Sequence, residues 1–204
     1  HDADIEWPSY SKWFDYEGEF GVFIGKKGKN IPKERAREHI FGFAAFNDFS
    51  ARDKQAREME GWMGPTKGKS FDTGNAIGPW IVTADEIPDE RRLNVELRVN
   101  GEVYARNSTA GMIHSLADMI AYLSQDETLY PGEFLGSGTV GGCCALESGR
   151  RFRPEHRRQH RKQVEDFVGQ PSGPRPQHGK PGLQIFTHAQ QRKDVAALRN
   201  PGNA

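Results

Sequence analysis

Asp15-Tyr16-Glu17-Gly18-Glu19-Phe20-Gly21-Val22-Phe23-Ile24 sets a period-two apolar pattern directly behind a pair of acids. Phe20, Val22 and Ile24 alternate with Glu19, Gly21 and Phe23, which predicts a β-strand over roughly 16–24. Side chains two apart on a strand share a face, so Glu17 and Glu19 point the same way. Two like charges side by side in a buried strand are unfavourable unless something positive stands between them, and a divalent cation is the simplest solution. The competing reading is a solvated Glu-x-Glu pair on an edge strand, and this stretch alone leaves it open.

Working outward, Gly25 to Asn30 reads as a turn, and Pro32 opens a short helix to about His39, where the histidine favours the helix dipole. A second apolar strand, Ile40 to Phe46, leads into Asn47-Asp48-Phe49-Ser50-Ala51-Arg52-Asp53. The polar stretch 54–68 predicts a loop, and Gly78 to Thr83 a further strand. Leu93, Val95, Leu97 and Val99 alternate, Asn100-Gly101 turns the chain, and Val103 and Ala105 return, which predicts a β-hairpin. Met112, Ile113, Leu116, Met119, Ile120 and Leu123 recur at three- and four-residue spacing, an amphipathic helix over 111–124 with His114 and Asp118 on its polar side. Gly138-Thr139-Val140-Gly141-Gly142 reads as a Gly-rich turn.

The bulk properties exclude more than they identify. A chain of 204 residues suits one domain with an appendage, and zero formal net charge gives no overall signal for nucleic acid or an acidic membrane surface. The balance is uneven: from Arg150 onward there are twelve Lys/Arg against four Asp/Glu, net +8, so residues 1–149 carry −8. Cys143 and Cys144 are adjacent and form no disulfide framework, and they read as small core residues in a reducing, cytoplasmic setting. No apolar run approaches the roughly 20 residues of a membrane span, and no signal peptide opens the chain. The start at His1 rather than Met is expected of a piece of a longer protein. After residue 150 the composition turns basic and Pro/Gly-rich and offers too little apolar surface to offset ordering entropy. The expected organisation is a domain over 1–150 and a tail over 151–204, largely disordered or non-native, with a short helix at 188–199 and a shift of reading frame near residue 154.

Seven short strings in fixed order carry a family resemblance: Asp-Tyr-Glu-Gly-Glu at 15–19, Asn-Asp-Phe-Ser-Ala-Arg-Asp at 47–53, Gly-Lys-Ser-Phe-Asp-Thr at 68–73, Ile-Gly-Pro-Trp at 77–80, Val-Asn-Gly-Glu at 99–102, Leu-Tyr-Pro-Gly-Glu at 129–133 and Gly-Ser-Gly-Thr at 136–139. Together they resemble the catalytic domain of the fumarylacetoacetate hydrolase family. The resemblance implies an α+β fold, mainly β, built as a mixed β-roll with a few flanking helices. It also implies that Glu17, Glu19 and Asp48 are metal ligands, and three oxygen donors suit Mg²⁺, with Mn²⁺ or Ca²⁺ as alternatives. Lys69 matches the family's active-site lysine, a fixed positive charge placed where negative charge grows. Arg52, Gln55 and Thr139 match substrate-contacting positions, Glu147 a glutamate linked to water activation, and Asp72 and Thr73 are expected to support Lys69. The alternative reading of Arg52 is a structural partner of Asp48 or Asp53.

The implied activity is metal-dependent cleavage of a carbon–carbon bond in a 2,4-diketo acid of the acylpyruvate type. Isomerisation, decarboxylation or hydration of 2-oxo acids on the same scaffold is the alternative. The family draws its catalytic base from a segment before the metal-binding strand; here His1 and Glu6 are the only candidates, so the base is expected to be missing. A pseudoenzyme that keeps metal and ligand binding is therefore the second reading. Nucleic-acid binding through the basic tail is the third, disfavoured because residues 155–204 offer only Phe167 and Phe186 to stack on bases. Relatives are commonly homodimers that pack through the β-roll, so the resemblance implies a homodimer as one assembly open to this chain.

Overall fold

The structure, a computed structural model, describes residues 4–62, 64–99 and 101–149, together with the backbone of 167–168 and 184–185. In chain order come β1 (Phe14–Asp15), β2 (Gly18–Ile24) and β3 (Gly28–Lys29). A 3-10 turn over Lys33–His39, entered through Pro32, occupies the place expected for a short helix. Then follow β4 (Ile40–Asp48), β5 (Ser50–Ala51), α1 (Arg52–Glu60), β6 (Asn75–Ile77) and β7 (Val82–Thr83). The hairpin is β8 (Asn94–Val99) and β9 (Glu102–Ser108). The described part ends with α2 (Leu116–Leu123), β10 (Thr128–Leu129), β11 (Phe134–Gly136) and α3 (Ala145–Ser148).

The architecture is α+β and mainly β. The central sheet runs β11-β2-β4-β6, with β7 also on β4, and its ladders are antiparallel. Register decides which side chains meet. Phe20 pairs with Ala45 and Val22 with Phe43 on one face, and all four are buried. That face joins Val95, Leu97 and Val99 of the hairpin and Leu116 and Ile120 of α2 in one core. Each such side chain contributes about 1.5–3 kcal/mol by leaving water, so this face holds the sheet together.

The opposite face carries the chemistry. Glu19 pairs with Phe46, Phe23 with Phe134, and Gly21 with Gly136. The Phe134 ring stands 4.9 Å from Phe23 and 5.2 Å from Phe46. Gly21 is what admits that ring, since a Cβ there would overlap the Phe134 side chain and stand 2.6 Å from the Leu135 carbonyl oxygen.

Three sequence expectations need correction. Residues 54–60 of the stretch expected as loop belong to α1: Arg-Asp-Lys-Gln-Ala-Arg-Glu-Met-Glu over 52–60 has no Gly or Pro before Gly61 and is made largely of good helix formers. The stretch is polar because only Arg52 of the helix is buried, so no apolar stripe announced it. The second helix starts at Leu116 rather than 111, because Ser115 caps it in a reciprocal pair with Asp118; His114 precedes the helix and is exposed. The strand expected over 78–83 is split around the cis Gly78–Pro79 bond, where proline offers no N–H to a ladder. The hairpin and the buried cysteines are as expected, and burial pushes the Cys143 thiol up to about 12, keeping it neutral. The expectations for 151–204, including the helix at 188–199, lie outside the described residues apart from a backbone pairing of Phe167–Val168 with Gln184–Ile185.

Gly21→Ala is expected to lower stability by about 1–3 kcal/mol through overpacking against Phe134 and the β11 backbone. Urea unfolding checks this, and an unchanged midpoint would show that β11 can yield at that point.

Candidate metal centre

Glu17 sits between β1 and β2, and its backbone is clamped on two sides. Its N–H donates to the Asn47 side-chain oxygen at 3.0 Å, and its carbonyl accepts from the Asp48 N–H at 3.1 Å. It also forms a bridge with Cys144. Glu19 lies on β2 and Asp48 ends β4. One carboxylate oxygen from each of Glu17, Glu19 and Asp48 lies within 4.8 Å of the other two. The pairing of β2 with β4 therefore brings together the three acids expected as ligands.

Lys69 joins them. Its ammonium donates to Glu17 Oε2 at 2.5 Å and Asp48 Oδ2 at 2.8 Å. The loop delivering it is gripped by Glu58 of α1, whose carboxylate accepts from the N–H groups of Thr66, Lys67 and Gly68. Those bonds hold Glu58 below the usual carboxylate range against the opposing effect of desolvation. Sequence reading missed Glu58 because it missed α1. Lys67 is exposed, as expected of a surface lysine. Asp72 is exposed and Thr73 Oγ1 takes the Glu6 N–H, so neither is seen to support Lys69.

Arg52 pairs with neither Asp48 nor Asp53. Its Nε and Nη2 both reach Asp15 Oδ2 at 2.8 Å, and its Nη1 reaches Glu17 Oε1 at 2.6 Å and Gln55 Oε1 at 2.8 Å. Burial alone would lower the Arg52 pKa, but Glu17 and Asp15 hold it above its ordinary value. Gln55 keeps its amide NH₂ as the group left to donate.

On the far side, Gly138 N–H donates to Glu19 Oε2 at 3.0 Å and Thr139 Oγ1 approaches Oε1 at 3.5 Å. Gly138 has φ +78°, a conformation natural to glycine, which aims its amide at the carboxylate. Beside this turn lies a groove of about 400 Å³ lined by Met112, Ile113, His114, Met119, Gly138 and Thr139 among others. His114, read from sequence only as an exposed helix residue, is thus a wall of that groove. Glu147 is not brought to the cluster: it is exposed, and its Oε2 accepts the Gly142 N–H at 2.6 Å.

The electrostatics fit a divalent cation. Burial, then the Asp48 and Glu17 charges, push Glu19 up to about 8. Burial raises Asp48 too, against the pull of Lys69. Four acids (Asp15, Glu17, Glu19 and Asp48) face two cations (Arg52 and Lys69), leaving a formal −2 when all are ionised. A hard, all-oxygen donor set with that residual charge is what Mg²⁺, Mn²⁺ or Ca²⁺ takes.

The sequence profile for the fumarylacetoacetate (FAA) hydrolase C-terminal family matches residues 1–170. The chain belongs to the fumarylacetoacetate hydrolase family. Rat mitochondrial oxaloacetate tautomerase Fahd2a is 43% identical over 135 residues, 66% of this chain and 42% of its own length. A Pseudomonas aeruginosa fumarylpyruvate hydrolase, solved with Mn²⁺ and pyruvate, superposes with a TM-score of 0.69 at 28% identity, covering 93% of this chain and 71% of that one. A 5-carboxymethyl-2-hydroxymuconate delta-isomerase from Mycobacterium smegmatis gives 0.61 at 35% identity, covering 69% of this chain and 53% of its own. The chain spans about half the length of the curated relatives it matches. The fold is the fumarylacetoacetate hydrolase fold. Among the described residues, no helix is long and apolar enough to cross a membrane.

Glu19 sets a pH dependence whose sign follows from its raised pKa. The folded protein holds that proton more tightly than the unfolded chain does, so the stability it contributes is present below about pH 4.5 and lost as pH rises through about 8. The slope is at most about 1.4 kcal/mol per pH unit for one proton. Metal-free protein is expected to lose thermal stability from pH 5 to 8.5, with Mg²⁺ restoring more at pH 8 than at pH 6. Glu19→Gln should flatten the profile; a scan in which native protein and variant run parallel would contradict this account.

Proposed function

We propose that this chain is the metal-binding part of an enzyme that hydrolyses a carbon–carbon bond in 2,4-diketo acids of the acylpyruvate type, with Mg²⁺ at Glu17, Glu19 and Asp48 and Mn²⁺ or Ca²⁺ as substitutes. The observation that carries the reading is the convergence of those three carboxylates with Lys69 in a chain of this family. The pyruvate and Mn²⁺ in the Pseudomonas aeruginosa relative support a small 2-oxo acid beside a divalent ion. A cytoplasmic homodimer, with the domain ending near residue 150, belongs to the same reading.

When bound, the cation supplies Lewis acidity toward a chelating 2-oxo acid. Lys69 then offers an ammonium where enolate charge develops, a preorganised charge needing no reorientation during reaction. Gln55 NH₂ and Thr139 Oγ1 orient the substrate, and Arg52 supports both Glu17 and Gln55. The groove beside Thr139, with Met112, Ile113 and Met119 along it, suits the acyl end of the substrate. Glu147 lies apart from the cluster with its Oε2 on the Gly142 N–H, so this reading gives it no catalytic role. Isomerase or tautomerase chemistry is the second reading, favoured by the relatives that bear those names.

Acylpyruvate cleavage, followed by loss of the diketo absorbance, is expected to stop with EDTA and return with Mg²⁺. Glu19→Ala should reduce kcat/KM at least 100-fold, and Lys69→Met should lower kcat more than it raises KM. Mg²⁺ binding without turnover would favour the pseudoenzyme, and tautomerisation of oxaloacetate without cleavage would favour the second reading.

A further inference from the structure

We propose that Asp15 is a positioning residue of the metal centre, acting on Glu17 through the orientation it imposes on Arg52. This rests on the reading of Glu17 as a metal ligand. The Asp15 side chain has no solvent exposure, and all its partners are fixed groups. Oδ1 accepts the Ala145 N–H at 2.9 Å, and Oδ2 accepts the Leu146 N–H at 3.2 Å as well as Arg52 Nε and Nη2. Two backbone amides from α3 therefore pin the carboxylate, and the pinned carboxylate takes one whole edge of the guanidinium.

That edge decides what the remainder can do. Guanidinium is planar, so holding its Nε/Nη2 edge at Asp15 fixes the plane in which Nη1 meets Glu17 Oε1 and Gln55 Oε1. Arg52 thus meets Glu17 with one nitrogen at one oxygen, and Glu17 Oε2 is turned to Lys69 and the cluster. Without the Asp15 charge, Glu17 becomes the nearest counter-charge for a buried cation that cannot lose its proton. The fork then closes on the ligand and competes with the metal. A merely structural Asp15 would affect folding stability and leave the ligand unaltered.

The test is Mn²⁺ affinity, read from the paramagnetic signal of the free ion at fixed pH. Asp15→Asn keeps the shape and removes the charge, and it is expected to weaken Mn²⁺ binding at least tenfold. Ile120→Ala, a core variant on α2, serves as the destabilised control and should bind Mn²⁺ like the native protein. The double variant Asp15→Asn/Arg52→Gln removes the unbalanced cation and should recover most of the lost affinity. Native affinity in Asp15→Asn, a loss no larger than in Ile120→Ala, or a double variant as weak as the single one would each overturn the proposal. Should Asp15→Asn fail to fold, Arg52→Gln is compared with the double variant. With Arg52 gone, removing the Asp15 charge should change affinity less than threefold, and a further tenfold loss would overturn the mechanism. A native protein that binds no Mn²⁺ would instead remove the metal reading itself.

Discussion

Like charges held together in a poorly solvated place are the constraint on which the structure around the centre depends. Glu17, Glu19 and Asp48 bring carboxylate oxygens within 4.8 Å of one another. At the effective dielectric of a protein site, each ionised pair at such a distance is unfavourable by about 3–4 kcal/mol. Three pairs together approach the whole net stability of a typical domain. The fold answers with two fixed cations, with the Gly138 amide donating to Glu19, and with a Glu19 that holds its proton to about pH 8. Each device leaves the cluster short of neutrality while all its acids are ionised. With all four acids ionised that shortfall is a formal −2, the charge balance that the proposed cation would meet.

The two faces of β2 divide the work. Phe20 and Val22 tie the strand into the core shared with the hairpin and α2, while Glu19 and Gly21 face the acids and the Phe134 ring. A one-residue slip in register would exchange the two sets. Large buried side chains on the core face therefore secure the positions of the ligands on the other. The aromatic trio Phe23, Phe46 and Phe134 closes the acid-bearing face further along the strands and limits water around Glu19.

How much of this was legible depended on whether the signal was local. The β2 alternation, the Asn-Gly hairpin and the Glu17/Glu19 pairing lie within a few residues each, and the ordered family strings supplied Asp48 and Lys69. What escaped were features whose meaning arises in three dimensions. Asp15 read as the first letter of a motif, yet its role comes from amides 130 and 131 residues away. Glu58 sat in a stretch read as loop because a helix with a single buried residue has no apolar stripe. Arg52 was read as a fork for substrate or a partner of Asp48 or Asp53, and its partners proved to be Asp15 and Glu17. His114 gained its place beside the groove only when α2 began later than its periodicity suggested.

The bridge between Glu17 and Cys144 has a kinetic consequence. It joins residues 127 positions apart (144 − 17), and the centre also needs residues 48, 52, 69 and 138 in place. Contacts of such sequence separation form only after long loops close, and the entropy of closing them must be met before the contacts return any stability. The centre is therefore among the last parts of the fold to be completed, whereas the hairpin and α2 can form from neighbours. On a ribosome, a chain halted before Ala145 would lack the amides that pin Asp15. Cation binding would then report that residues 15–146 had emerged and closed.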